Sequence, residues 1–358
     1  MSEKGEGGGM SEFRVGIIGC GRPRNTEGAT GFGMSHWHAR GYEQSPDCRI
    51  VALADISDEN ARAFQREHGG EHLYTDYHEM LAKEHLDIVS VCTWPQLHAE
   101  MVIAAAAAGV RAIHCEKPMA PTYGEARRMV AACDAYGVQL TFNHQRRFAA
   151  PFRRARELLN AGVIGDLLRL EMRCVDLFDW GTHWFDMCFF YNGETPAEWV
   201  IGQVDLRNGR TVFGVPLEGQ GLSHFKFVNG VHGLLVTGPD NGWDAQNRLI
   251  GTDGVIEVGH QNGPPVRVWG KGQTGWQTVE TPEDNPALAV VPRGILDLVD
   301  ALKTGREPEL SGHRALRATE LSFATYESSR RRGRVDLPLD IDDSPLVALI
   351  AAAKETAV

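Results

Sequence analysis

From residue 13 the chain alternates short apolar runs with amphipathic stretches of helical length. The runs are FRVGIIG (13–19), RIVALADI (49–56), LDIVSVCTW (86–94), VRAIHCE (110–116) and VQLTFN (138–143). Each is rich in Val, Ile and Leu with little polar alternation, as expected of strands buried on both faces. Between them the spacing predicts helices near 33–44, 58–68, 76–84, 96–108 and 122–136, with Ser57 and Thr122 as N-caps. Strand and helix in strict alternation predict a parallel sheet wound on both faces, whose ligands sit beyond the carboxyl ends of the strands.

After Asn143 the pattern changes. One helix is predicted from about 152, closed near Gly162, and another at about 182–192. Strands are predicted around 167–175, 198–206, 222–228, 231–237, 247–251, 255–259 and 266–269, and helices near 287–303 and 312–330. Asn229-Gly230 and Asp253-Gly254 are two-residue hairpin signals, so this second sheet is expected to be large, open and mostly antiparallel. The expected fold is α/β: a doubly wound parallel sheet over 13–143, then an α+β domain over 144–358. The Gly-rich start, residues 1–12, is expected to be a disordered leader.

Composition narrows the function. At 358 residues the chain exceeds one ordinary core. Its apolar and charged shares, 42% and 23%, are those of a globular protein, and no apolar run nears the roughly 20 residues that span a bilayer. A net charge of −11, with no basic stretch interleaved with aromatics, argues against a nucleic-acid partner. The seven cysteines are scattered and never spaced C-x-x-C, which fits reduced thiols in the cytoplasm. A small molecule is therefore the expected partner.

The polar residues at the strand ends carry the chemistry. Gly19 and Gly21 begin a dinucleotide fingerprint, in which glycines let backbone N–H groups approach a pyrophosphate. Position 24 is Arg where a third glycine is wanted, and about ten residues are inserted before the helix starts near Gly33 or Ser35. Asp55 ends the second run and, allowing for that insertion, stands where a carboxylate meets the adenosine ribose. Its charge favours NAD over NADP, although Arg22 and Arg24 are within reach of a phosphate. Asp55 as a plain helix cap is the other reading. DWGTHWFD (179–186) leaves open an acid/base pair, half a metal site or a polar patch on a buried helix. Without a third ligand at firm spacing, no metal site is expected there.

HCEKPMA (114–120), CTWPQLHAE (92–100), DWGTHWFD and the tail 312–339 together resemble the Gfo/Idh/MocA family of NAD(P)-dependent oxidoreductases. The most specific pieces are Glu116-Lys117-Pro118 and the D-x-G-x-H-x-x-D pattern at Asp179, Gly181, His183 and Asp186. The resemblance implies a Rossmann domain and hydride transfer between NAD, with NADP possible, and a secondary alcohol of a sugar, inositol or polyol. It implies that Gly19, Gly21, Arg22, Gly33, Ser35, Asp55, Thr93, Trp94, Pro95, His98, Glu116 and Lys117 meet the dinucleotide, with Pro118 cis. Lys117 would polarise the reacting oxygen, His183 would act as base, and Asp179 would orient His183 and raise its basicity. Arg147 and Trp180 would face the substrate, and Asp186 would support the helix or the substrate. A homodimer or homotetramer through the open sheet face is expected. A catalytically silent NAD-binding regulator and an NAD-dependent glycosidase are the alternatives. The stretched glycine loop is the departure from the family pattern.

Overall fold

The structure, a computed structural model, describes residues 12–239, 245–260, 262–284 and 287–356. The expected leader, apart from Glu12, lies outside them. The first part alternates β1 (Phe13–Ile18), α1 (Met34–Glu43), β2 (Cys48–Ala54), α2 (Asp58–His68), β3 (His72–Tyr74), α3 (Tyr77–Lys83), β4 (Ile88–Val91), α4 (Pro95–Ala107), β5 (Ala112–Cys115), α5 (Tyr123–Tyr136) and β6 (Gln139–Phe142). All its strand pairs are parallel, in the order β3-β2-β1-β4-β5-β6. Val15, Ile17, Val51, Leu53, Ile88, Val89 and Ile113 have no exposed surface, which explains runs without polar alternation. Ser57 and Thr122 cap α2 and α5 as expected. The sequence predicts five strands; the sixth, β3, is a three-residue edge too short for a periodic signal.

The chain continues through α6 (Ala150–Asn160), β7 (Leu167–Cys174), α7 (Gly181–Tyr191), β8 (Ala197–Asp205), β9 (Arg210–Val212), β10 (Val215–Leu217), β11 (Gln220–Phe227), β12 (His232–Thr237), β13 (Ala245–Gly251), β14 (Val255–His260), β15 (Val266–Trp269) and β16 (Gln277–Thr278). It ends with α8 (Val291–Thr304), α9 (Gly312–Arg331), β17 (Val335–Asp336) and α10 (Pro345–Thr356). The second sheet has nine strands in the order β16-β15-β14-β13-β7-β12-β11-β8-β17, antiparallel except for β7 with β12. Both Gly-containing turns join antiparallel neighbours. The small β9–β10 hairpin, the two-residue edges and α10 were not visible in the pattern.

Every residue of α7 is buried, against α9 and the sheet, so its sequence has no polar stripe. α8 does not stay with the second sheet. It returns to cover the first, where Ile295, Leu298 and Val299 join Val15, Ile17 and Tyr42 in one core. Gly41 makes room, since a Cβ there would lie 2.5 Å from Ile295 Cβ. Ile295→Ala should therefore destabilise the protein by about 2–5 kcal/mol, read from the denaturant midpoint. A change within 0.5 kcal/mol or so, as at a surface position, would show that α8 is not part of this core.

Candidate active site

The carboxyl ends of β1, β2, β4, β5 and β6 open onto one crevice. Gly19 and Gly21 follow β1 with φ of 84° and 57°. At Gly19 a Cβ would lie 2.8 Å from the Cys92 carbonyl oxygen, so only glycine fits this close approach. The inserted residues loop outward and return at Gly33, the left-handed residue before α1, where Ser35 donates to the Cys20 carbonyl. Asp55 accepts from the N–H of Gly21 at 3.0 Å and of Ser57 at 2.8 Å, while Ser57 itself caps α2. Arg22 is held by Asn60 at 2.8 Å and Glu59 at 2.7 Å, and the Arg24 guanidinium lies 4.6 Å from the centre of the Phe32 ring.

Two adjoining hollows fill the crevice. One, of about 520 Å³, is lined by Asp55, Ser57, Gly19, Gly21 and Thr93. The other, of about 360 Å³, is lined by Gly19, Gly21, Arg22, Gly33 and Ser35, by Thr93, Trp94 and Pro95, by Glu116 and Lys117, and by Asp179, Trp180 and His183. Phe32 meets Phe213 edge-on at 5.8 Å, and Trp94 lies 6.4 Å from Phe213, so the tip of the β9–β10 hairpin roofs the glycine loop. A larger cleft, about 670 Å³, lies at the amino ends of β4 and β5 beside Asp87 and Arg111, away from these groups.

Lys117 follows β5 and precedes a cis peptide to Pro118. Its ammonium donates to Asp179 Oδ1 at 2.6 Å and to the Asp179 carbonyl at 3.1 Å. This corrects the expected Asp179–His183 pair. Asp179 lies two residues before the first helical residue, Gly181, so its carboxylate reaches across the crevice to Lys117 rather than along the helix to His183. The His183 ring packs edge-on to His144 at 5.4 Å, and its Nδ1 is buried without a hydrogen-bond partner among the described residues. Burial first, then the Lys117 and Arg146 charges, hold its imidazole well below the ordinary range, opposite to the expected rise.

Buried polar groups hold this cluster on both sides. Glu116 Oε1 accepts from His38 Nε2 at 2.9 Å and Asn143 Nδ2 at 2.7 Å. Burial raises the Glu116 carboxyl, but these donors and Lys117 outweigh it and bring the pKa below the usual range. Asp176, which sequence analysis passed over, accepts from the N–H groups of Asp179 at 2.5 Å and Trp180 at 3.0 Å and pairs with Arg210. Burial pushes its pKa up, and the nearby Asp179 adds to the rise.

Two expected site residues fall elsewhere. His98, one turn into α4, has no exposed surface and does not line the crevice. Its Nδ1 lies 2.9 Å from the Pro118 carbonyl and its Nε2 3.1 Å from that of Thr93, so it braces the two turns from behind. Arg147 is also wholly buried: it binds Asp186 through Nε and Nη2 at 2.7 and 2.8 Å, and Glu194 and Glu309 through Nη1. A single turn of 3-10 helix at Gln145–Phe148 aims its neighbour Arg146 into the crevice instead. Arg146 lies over Trp184 at 4.4 Å and near Trp180 at 5.4 Å, with no carboxylate partner among the described residues; burial pushes its pKa down to about 10. Asn143 and Gln145 line the same hollow. All three follow β6, and the carboxyl-end rule that singled out the other strands would have found them there.

A parallel sheet in this order, with a glycine turn after the first strand and a crevice at the strand ends, defines a dinucleotide-binding fold. Residues 13–144 match the family described as "Oxidoreductase family, NAD-binding Rossmann fold". It is 27% identical to a D-apiose dehydrogenase of Paraburkholderia graminis, over 94% of this chain and 93% of that one. It is 29% identical to a myo-inositol 2-dehydrogenase of Thermotoga maritima over 45% of each. A levoglucosan dehydrogenase solved with NADH shares the fold at a TM-score of 0.77, with 21% identity and coverage of 92% of this chain and 100% of that one.

Arg147→Met would leave Asp186 buried and unpaired, a loss of about 3–5 kcal/mol. A lowered melting temperature with an unchanged KM in the folded fraction is expected. A raised KM at normal stability would return Arg147 to the substrate.

Proposed function

We propose that the protein is an NAD-dependent oxidoreductase that moves hydride between the nicotinamide and a secondary alcohol of a sugar, inositol or related polyol. The observation that carries this reading is the meeting of Lys117, Asp179 and His183 in a crevice that begins at a glycine turn. The names of the relatives, dehydrogenases of apiose and of inositol, support the substrate class. The glycine turn offers backbone N–H groups to a pyrophosphate, and Asp55 offers its carboxylate to the ribose hydroxyls. Bound NAD supplies the hydride acceptor.

The residues of this chain then divide the work. An ammonium has three donors, and Asp179 engages Lys117 twice, which leaves one N–H for the substrate oxygen. That contact strengthens as negative charge gathers on the oxygen, so it lowers the barrier more than it binds substrate. His183, kept neutral by its surroundings, takes the hydroxyl proton during oxidation. Asp179 acts on Lys117: it fixes the ammonium and balances its charge. Arg146 and Trp180 face the sugar. A silent NAD-binding regulator would have no use for this cluster. In this reading residues 13–143 bind the dinucleotide and 144–358 shape the substrate pocket. The open face of the second sheet, where Ile201 and Leu222 are exposed, takes a second copy in a homodimer or homotetramer. The seven free thiols fit the cytoplasm.

NAD is expected to bind about 10-fold or more tightly than NADP, because a 2′-phosphate meets the Asp55 charge and Arg22 is already paired. Fluorescence titration with both cofactors checks this, and equal affinities would make Arg22 or Arg24 a phosphate clamp.

The catalytic assignment is read from a pH profile of polyol or sugar oxidation. Oxidation needs neutral His183, and its pKa is lowered, so kcat/KM should be level through neutrality and fall only well below pH 6.5. His183→Ala should remove that acid limb and lower the rate by roughly 10²–10⁴. A limb that survives the substitution, or a panel of sugars and polyols that never changes nicotinamide absorbance while NAD binds, would sink the proposal.

A further inference from the structure

We propose that His36, Glu67 and His68 form a binding site for one divalent transition ion of the zinc class, clamping α1 to α2 beside the dinucleotide crevice. The site is separate from the Lys117 cluster, and none of its residues lines either hollow. His36 lies in the first turn of α1, and Glu67 and His68 end α2.

Three lone-pair atoms converge there. His36 Nδ1 and His68 Nε2 are 2.9 Å apart, and the Glu67 carboxylate oxygens lie 3.3 Å from the first and 3.4 Å from the second. Ligands about 2.0–2.1 Å from a tetrahedral ion are spaced roughly 3.3 Å from one another, so the triangle needs to open by only a few tenths of an ångström on one edge. The outer contact agrees. His68 Nδ1 lies 2.7 Å from Glu43 Oε1, which fixes the N–H on Nδ1 and leaves the Nε2 lone pair facing the other two ligands. Such carboxylate–histidine pairs orient metal ligands and raise their basicity. Both imidazoles are nearly covered, whereas the Glu67 side chain is about half exposed and gives an ion a way in.

Two imidazoles and one carboxylate suit zinc, cobalt or nickel; magnesium and calcium want more oxygen donors. A three-ligand set leaves a fourth position for water. The ligands come from two helices whose starts flank the crevice: Ser35, next to His36, lines the hollow, and α2 begins just past Asp55. An ion here ties those helices together. Sequence spacing gave no sign of it, because the two histidines stand 32 positions apart and only the packing of α1 on α2 unites them.

The competing account is a hydrogen-bonded histidine pair with a proton between the rings. Titrating ZnCl2 into the metal-stripped full-length protein by calorimetry separates the two. One Zn²⁺ per chain with Kd tighter than about 10 µM, and no such binding of Mg²⁺, is expected. His68→Gln should weaken it by about 100-fold or more, and Glu43→Gln, which touches only the outer contact, by about 10–100-fold. Co²⁺ should give visible absorption bands of a tetrahedral site that vanish in His68→Gln. Glu67→Gln, at a half-exposed position, guards against loss of fold and should still weaken Zn²⁺ binding, with melting curves beside each variant. Binding weaker than the stated limit overturns the proposal in favour of the hydrogen-bonded pair. Equal Zn²⁺ affinity in His68→Gln overturns it too, because the ion would then sit elsewhere.

Discussion

The ion pair between Lys117 and Asp179 fastens the end of a strand in the first sheet to the start of a helix packed on the second. Neither partner is anchored by chance. Lys117 emerges from a parallel strand whose neighbours fix its height, and Asp179 is held by its own backbone N–H bonding Asp176. A charge removed from water needs both a partner and further hydrogen bonds, or it is lost to neutralisation. Here the supports are buried His38 and Asn143 on Glu116, and the more exposed Arg210 on buried Asp176. Between these fixed charges His183 is left without a counter-ion, and burial with the Lys117 and Arg146 charges lowers its pKa.

The sequence carried most of the fold and part of the site. Strands covered on both faces leave unbroken apolar runs, and the five long ones in the first part were legible for that reason. β3 and the β9–β10 hairpin were not, because three residues cannot show a period. The glycine turn, Asp55, Lys117 and His183 were legible from their places at strand ends or from the family pattern. Pairing was not. Asp179 is four residues from His183 and 62 from Lys117, yet it chose the distant partner, since only the packing of the two sheets decides which way a carboxylate at a helix start faces. Arg146 and Arg147 make the same point at closer range. Two identical neighbours take opposite roles through the phase of one 3-10 turn, one buried against Asp186 and one stacked on tryptophan.

The stretched glycine loop, the clearest departure from the family pattern, has a partner that is equally irregular. Its Phe32 rests on Phe213, the tip residue of a hairpin from the second part, held in a left-handed conformation. Gln96 binds the Phe213 carbonyl from α4. An insertion in one part of the chain is thus matched by an excursion in the other, and the two meet over the crevice with apolar faces. The match narrows the opening with aromatic rings, and the Arg24 guanidinium lies on the Phe32 ring.

The return of α8 to the first sheet bears on how the chain is made. Ile295, Leu298 and Val299 belong to the core of a sheet whose last strand ends at Phe142. On a ribosome adding roughly 5–20 residues each second, about 150 residues separate the two, so that core waits some 8–30 s for its last apolar side chains. Until then Val15, Ile17 and Tyr42 lack part of their covering. The nascent first half is thus a natural client for chaperones, and a fragment that stopped at the end of the sixth strand would carry an uncovered apolar stripe.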